Sequence, residues 1–255
     1  MAEQTKVTTL EKVVIRFSGD SGDGMQLTGT IFSNLSAIFG NEISTFPDYP
    51  AEIRAPQGTL GGVSGFQVHI GKGVHTPGDL ADVLVAMNPA ALKTNACYVK
   101  KGGVVIIDSD SFRASDLEKA AFTTDDPIQE AGLSHAQIVP VAITQMVKDS
   151  LADSGLDNKS IVRCKNMFAL GLVCWLFDRP LEQAQHLLKN KFAKKPAIYE
   201  ANAKVMRDGY NYGNNIHASV STYRVESAQV KPGIYTDVNG NTATAWGLIC
   251  LLYTF

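Results

Sequence analysis

The chain lacks most of the signatures that mark a self-contained catalyst. Its four cysteines, Cys97, Cys164, Cys174 and Cys250, include no C-x-x-C pair. The close thiolates that an iron–sulfur cluster needs are therefore missing, and the four read as free thiols buried in a reducing cytosol. The five histidines are scattered, with no H-x-x-x-H or His/Cys grouping that would hold a metal. No G-x-S-x-G elbow points to a hydrolase. No apolar stretch reaches the length of a membrane span, and the first six residues lack the apolar core of a secretory signal. A net charge of −2 with 19% charged residues leaves no field of one sign for nucleic acid or a membrane surface. A cytoplasmic protein with neither nucleic-acid nor membrane partners is expected.

What the chain does have is length for a sizeable core and a strand–loop–helix pattern near its start. Residues 12–17 read as a buried strand. Helical spacing over about 24–39 (Met25, Leu27, Ile31, Leu35, Ile38, Phe39) follows, with Gly40 as the stop. Further strands are predicted at 43–46, 63–70, 83–87, 104–107 and 137–141, with Asn88-Pro89 opening a helix. After 142 the pattern turns helical, over 161–177, from Pro180 to Leu188, and from Ala197 to about Asn214. Strands interleaved with helices, then a helical part, predict a three-layer α/β/α Rossmann-like domain. Its sheet should be mostly parallel, and mixed if the strands at 43–46 and 63–70 pair antiparallel. Residues 218–236 read as extended linker, before a new helix that starts after Asp237.

Three constellations carry chemistry. The first is the turn Gly19-Asp20-Ser21-Gly22-Asp23-Gly24-Met25, where free N–H groups and a helix dipole converge into an anion cradle. Its glycine order is neither the dinucleotide fingerprint nor a Walker A loop. Asp20 and Asp23 are a cost beside an anion unless they turn outward, pair with Arg16 or Arg54, or meet ligand hydroxyls or amines. The glycines serve either a phosphate-type ligand or only a tight turn. The second is the loop from Pro47 to Gly62, with three prolines and three glycines, too long for an ordinary connection. Its Arg54 suits a fixed anion contact, a subunit interface or a solvated surface position. The third is Arg163-Cys164-Lys165-Asn166-Met167-Phe168-Ala169-Leu170-Gly171, whose basic residues and amide either reach a phosphate or cap the sheet edge ahead of a core helix.

These residues carry a resemblance. Phe17 to Gly24, Pro47-Asp48-Tyr49-Pro50-Ala51-Glu52-Ile53-Arg54 and Lys165 to Gly171, in that order, resemble the gamma domain of 2-oxoacid:ferredoxin oxidoreductases. The likeness is greatest to the fused form at the start of the 2-oxoglutarate:ferredoxin oxidoreductase alpha subunit. It covers about 12–215. It implies a gamma domain over 1–215, a linker over 216–236, and the start of a truncated thiamine-type pyrimidine domain over 237–255, where Gly240-Asn241-x-Ala243 resembles that domain's opening. The implied reaction is oxidative decarboxylation of a 2-oxoacid with coenzyme A, giving acyl-CoA, CO2 and reduced ferredoxin. The implied binding residues for coenzyme A are Gly19, Asp20, Ser21, Gly22, Asp23, Gly24, Met25, Arg54 and Asn166. Thiamine diphosphate, magnesium and iron–sulfur clusters are implied for the complex, not for this chain, which alone should be inactive. The implied partners are a thiamine-binding beta subunit, the remaining alpha domain and ferredoxin. The chain departs from the family pattern where Ala55 to Leu60 separate Arg54 from Gly61-Gly62. Two other readings stay open: a non-catalytic subunit-docking domain, and an independent nucleotide-binding oxidoreductase.

Overall fold

The computed structural model describes residues 7–50, 52, 55–216, 222–228, 231, 233–236 and 238–252. The strands are β1 (Val7–Leu10), β2 (Lys12–Asp20), β3 (Glu42–Asp48), β4 (Val63–Gly71), β5 (Ala81–Ala86), β6 (Val99–Asp108), β7 (Gln137–Val141) and β8 (Thr222–Val225). The helices are α1 (Met25–Ile38), α2 (Pro89–Asn95), α3 (Ala114–Lys119), α4 (Pro127–Glu130), α5 (Ile143–Ser150), α6 (Asn158–Val162), α7 (Lys165–Leu176), α8 (Leu181–Lys191), α9 (Pro196–Ile216) and α10 (Gly240–Leu252).

Six strands form one sheet in the order β3-β4-β2-β5-β6-β7. β2, β5, β6 and β7 run parallel, and β4 is antiparallel to both β2 and β3. The three-layer reading holds, and the sheet is mixed in the place expected. Both faces are covered, so β5 and β6 are apolar on both sides. Val13, Ile15, Phe17, Val83, Val85, Val104 and Ile106 pack into one core with residues of α1, α5, α7, α8 and α9. Leu84, Ala86, Val105 and Ile107 pack into a second core with Leu92 of α2 and Leu117 of α3.

The close crossing of α7 and α9 explains an oddity of composition. All twelve residues of α7 are buried, including Lys165 and Asn166. Such burial needs a near approach on the side away from the sheet, and glycines provide it. A Cβ at Gly171 would lie 2.9 Å from the Met206 carbonyl carbon, and one at Gly209 would lie 2.9 Å from that of Phe168.

Other differences from expectation have local causes. β6 begins at Val99, not 104, because Gly102-Gly103 interrupts its apolar run without ending the strand. The helical stretch expected over 161–177 is two elements, α6 and α7, joined by a turn at 163–164. β1 and β8 pair as a separate parallel ribbon, with β8 inside the stretch read as extended. Each has four residues, too few for a periodicity to show. All four thiols are free, but only Cys164 and Cys174 are buried. Cys97, in the turn after α2, and Cys250, on α10, are exposed, which corrects the expectation that all four lie inside. Among the described residues no helix is long and apolar enough to cross a membrane, and no group of His, Cys, Asp and Glu could hold a metal ion.

Candidate functional site

β2, β3 and β5 point their carboxyl ends to one edge of the sheet, which is where ligand loops of α/β domains lie. The glycine turn leaves β2 there, the loop starting at Pro47 leaves β3, and Met87-Asn88 leaves β5.

The glycine turn is built around Gly24, which caps α1 in the left-handed region at φ 76°. No side chain caps the first turn of α1, so that end keeps its N–H groups for another acceptor. Gly19 is needed for closeness. A Cβ there would sit 3.1 Å from Asp23 Oδ2, 3.2 Å from Met87 Cβ and 3.3 Å from Met25 Cγ. Gly22 is different, since a Cβ there would meet only Gln57 Nε2, at 3.9 Å. Ser21 and Gly22 are exposed at the tip.

Both acidic residues are engaged from within the chain. Asp20 accepts the Gly58 N–H with both oxygens, each at 3.1 Å, and accepts a hydrogen bond from the Asn88 side chain. Burial pushes its carboxyl above the usual aspartate range. The Gly58 N–H opposes that shift, the nearby Asp23 charge adds to it, and Asn88 and Lys165 oppose it more weakly. Asp23 Oδ2 accepts the Asp20 N–H at 3.2 Å and pairs with Lys165 Nζ at 2.9 Å. The side chains of that pair are only 11% and 13% exposed, so the charges meet with most of their water removed. Neither acid pairs with Arg16. Even-numbered positions of β2 face α2, and there Arg16 binds Asn95 at 2.5 Å, Gln67 at 3.1 Å and Asp48 at 2.5 Å, under the ring of Tyr98.

Asn166 completes the site. Its Nδ2 donates to the Gly24 carbonyl at 3.3 Å. Its Oδ1 is buried and has no hydrogen-bond partner. A buried orphan acceptor is costly, and it asks for a donor.

The structure thus gathers Gly19, Asp20, Ser21, Gly22, Asp23, Gly24 and Asn166 at one place. The Pro47–Gly62 loop joins them through Gly58 and through the Gly62 carbonyl, which accepts Ser21 N–H at 3.1 Å. Met25 is 1% exposed and its side chain belongs to the core, so only its backbone is left for a ligand. Arg54 lies outside the described residues. Of the two basic residues ahead of α7, Lys165 reaches the loop and Arg163 is exposed. Sequence reasoning missed Asn88, which accepts Ala91 N–H as the cap of α2 while contacting Asp20. Its position before Pro89 signals the cap but not the second contact. It also missed Gln26, whose amide ties α1 to the Gly65 carbonyl at 2.7 Å and to the Asp48 carbonyl at 3.2 Å.

A strand, glycine turn and uncapped helix at the carboxyl edge of a three-layer sheet place this chain among the three-layer α/β domains. Residues 14–212 match the family described as pyruvate ferredoxin/flavodoxin oxidoreductase, and the chain belongs to that family. It is 48% identical over 241 residues to the 2-oxoglutarate oxidoreductase subunit KorA of Mycobacterium tuberculosis, a match covering 94% of this chain and 37% of that protein. The chain therefore spans just over a third of the length of this curated relative. Two solved structures share its fold. One is a 2-oxoglutarate:ferredoxin oxidoreductase from Magnetococcus marinus with 2-oxoglutarate, coenzyme A and succinyl-CoA bound. Its TM-score is 0.66 at 24% identity, over 86% of this chain and 34% of that one. The other is a gamma subunit of a keto/oxoacid ferredoxin oxidoreductase from Geobacter sulfurreducens. Its TM-score is 0.56 at 23% identity, over 80% of this chain and 99% of that one.

Proposed function

We propose that this chain is the gamma-domain component of a 2-oxoacid:ferredoxin oxidoreductase, with 2-oxoglutarate as the 2-oxoacid, and that its glycine loop binds coenzyme A. The assembled enzyme would convert the 2-oxoacid and coenzyme A to acyl-CoA and CO2 and pass electrons to ferredoxin. Residues 1–215 are the gamma domain in this reading, 216–236 the linker, and 237–255 the opening of a pyrimidine-binding domain. Thiamine diphosphate, with magnesium, supplies the decarboxylation chemistry, and iron–sulfur clusters the electron path, all held by partner components. The partners are a thiamine-binding beta subunit and the rest of the alpha subunit.

The observation that carries the reading is the meeting of three distant sequence segments at the uncapped start of α1. Coenzyme A offers a pyrophosphate and a 3′-phosphate, which suit backbone N–H groups and cations. Gly22 and Gly24 would bring N–H groups to a phosphate, and Ser21, whose N–H is held by the Gly62 carbonyl, would offer its hydroxyl. The orphan Oδ1 of Asn166 would accept a hydrogen from the ligand or from a water that bridges to it. Arg54, in the loop that Gly58 pins to Asp20, would add a bidentate cation. The role of this chain is to bind and orient. None of its described residues has to break a bond.

The test is calorimetric titration of coenzyme A into the assembled enzyme. Gly22→Phe fills the open space next to Gln57 without burying a polar group, so the fold should survive. Affinity should fall by at least about tenfold, the equivalent of one charge-assisted hydrogen bond. Unchanged affinity in a folded variant removes the loop from this role.

A further inference from the structure

We propose that Lys165 is a ligand-contacting residue held in reserve, and that Asp23 is an internal anion which the ligand's phosphate displaces. The proposal rests on the reading of the glycine loop as a phosphate site.

Three observations lead to it. A glycine loop before a helix normally turns its N–H groups toward an outside anion. Here one of the loop's N–H groups is already taken by its own carboxylate: Asp23 Oδ2 accepts the Asp20 N–H and lies over Gly19, where no Cβ obstructs it. Next, Asp23 meets the Lys165 ammonium at 2.9 Å with both side chains largely buried. Burying two charges costs solvation that their attraction often fails to outweigh, so a tight desolvated pair is weakly explained by stability. Third, the residue after Lys165 presents the unpartnered buried Oδ1 of Asn166. That acceptor, beside the Gly24 carbonyl, leaves the site incomplete without an added donor.

Charge decides the direction of the exchange. The charged groups seen to face one another at the loop are Asp20, Asp23 and Lys165. With all of them ionised they sum to −1. Arg16 cannot offset this, because Asp48 holds it on the other face of β2. An incoming phosphate therefore meets repulsion unless one carboxylate leaves. A pyrophosphate group or a phosphate monoester carries more charge and more acceptor oxygens than a carboxylate, so it wins the ammonium. Asp23 then turns toward the exposed tip at Ser21 and Gly22. A ligand with a single carboxylate has no such advantage over Asp23, so the pair selects for phosphate-bearing ligands.

The test titrates the assembled enzyme with inorganic pyrophosphate and with coenzyme A, at one salt concentration. If Asp23 competes with the ligand, Asp23→Asn should tighten pyrophosphate binding by about tenfold, and Lys165→Met should weaken it by about as much or more. Lys165→Arg should keep most of the affinity. Lys165→Met leaves Asp23 unpaired and risks misfolding, so the double variant D23N/K165M, which removes both charges of the pair, serves as the second measurement. It should bind more weakly than D23N alone. Weaker or unchanged binding by D23N overturns the exchange and, where coenzyme A still binds the wild-type enzyme, leaves the proposed function standing. Opposite signs for the two single variants with pyrophosphate, but no binding of coenzyme A, support the exchange and sink the coenzyme A reading alone. Binding of neither probe by any variant overturns both.

Discussion

Replacing Gly24 by alanine should damage the turn through two separable routes. The first is the backbone. Gly24 sits at φ 76° and ψ 25°, where an L side chain costs about 1–2 kcal/mol. The second is Asn166. A new Cβ would lie 3.3 Å from its Cγ and closer still to its Nδ2, so the amide must move and its bond to the Gly24 carbonyl is lost. That bond contributes about 0.5–1.5 kcal/mol. The expected total is about 2–3 kcal/mol, enough to move a urea midpoint by about 1 M at a slope of about 2–3 kcal/mol per M. Asn166→Ala alone should cost little, because it removes the orphaned Oδ1 along with the hydrogen bond. In that background Gly24→Ala should cost only its backbone part, so the cycle should return a coupling of about 1 kcal/mol. Urea unfolding of the four proteins, followed by circular dichroism, measures it. Equal costs in both backgrounds would show that Asn166 does not support the turn. A cost below about 0.5 kcal/mol would refute the left-handed geometry itself.

Two further predictions concern the packing behind the site. Helix propensity alone makes Gly209→Ala stabilising by about 1 kcal/mol. The Phe168 carbonyl oxygen is the new Cβ's nearest clash, its carbon and Cα stand at 2.9 and 3.1 Å, and this backbone cannot rotate away, so a net loss of about 1–3 kcal/mol is expected in thermal unfolding. Gly247→Ala on α10, where a Cβ meets nothing within 4 Å, should show no such loss. Thiol labelling of the native chain at neutral pH should modify Cys97 and Cys250 quickly and spare Cys164 and Cys174. Burial pushes those two thiols up to about 11 and about 12, so almost none of either is thiolate until the chain unfolds. Mass spectrometry after brief alkylation gives the count, and rapid labelling of Cys174 would contradict the burial of α7.

Local chemistry was legible, and long-range partnership was not. Val13 to Phe17, the glycines and the spacing of Met25, Ile31 and Leu35 mark strand, turn and helix, because each signal lies within a few residues of its cause. The antiparallel place of β4 was visible as one of two options, since alternation fixes faces but not strand direction. Partners of the two acids were not visible. Arg16 is close in sequence, yet the period of two sends it to the face opposite Phe17 and toward Asn95. Lys165 is far in sequence and still reaches Asp23. α7 hid its neighbours for a different reason: buried all round, it has no polar stripe to say which side meets α9.

The hydrogen bond from Asn166 to Gly24 spans 142 residues, and this has a consequence for how the protein is made. At about 5–20 residues per second, roughly 7–30 s separate the synthesis of the glycine turn from that of the helix that completes it. Through that interval Asp23 has no ammonium beside it, and Asn166 has yet to reach the Gly24 carbonyl. The nascent chain therefore carries the glycine loop without the cation that would hold a phosphate. On the proposed reading, the loop gains the lysine that would contact a phosphate only when α7 docks against the sheet.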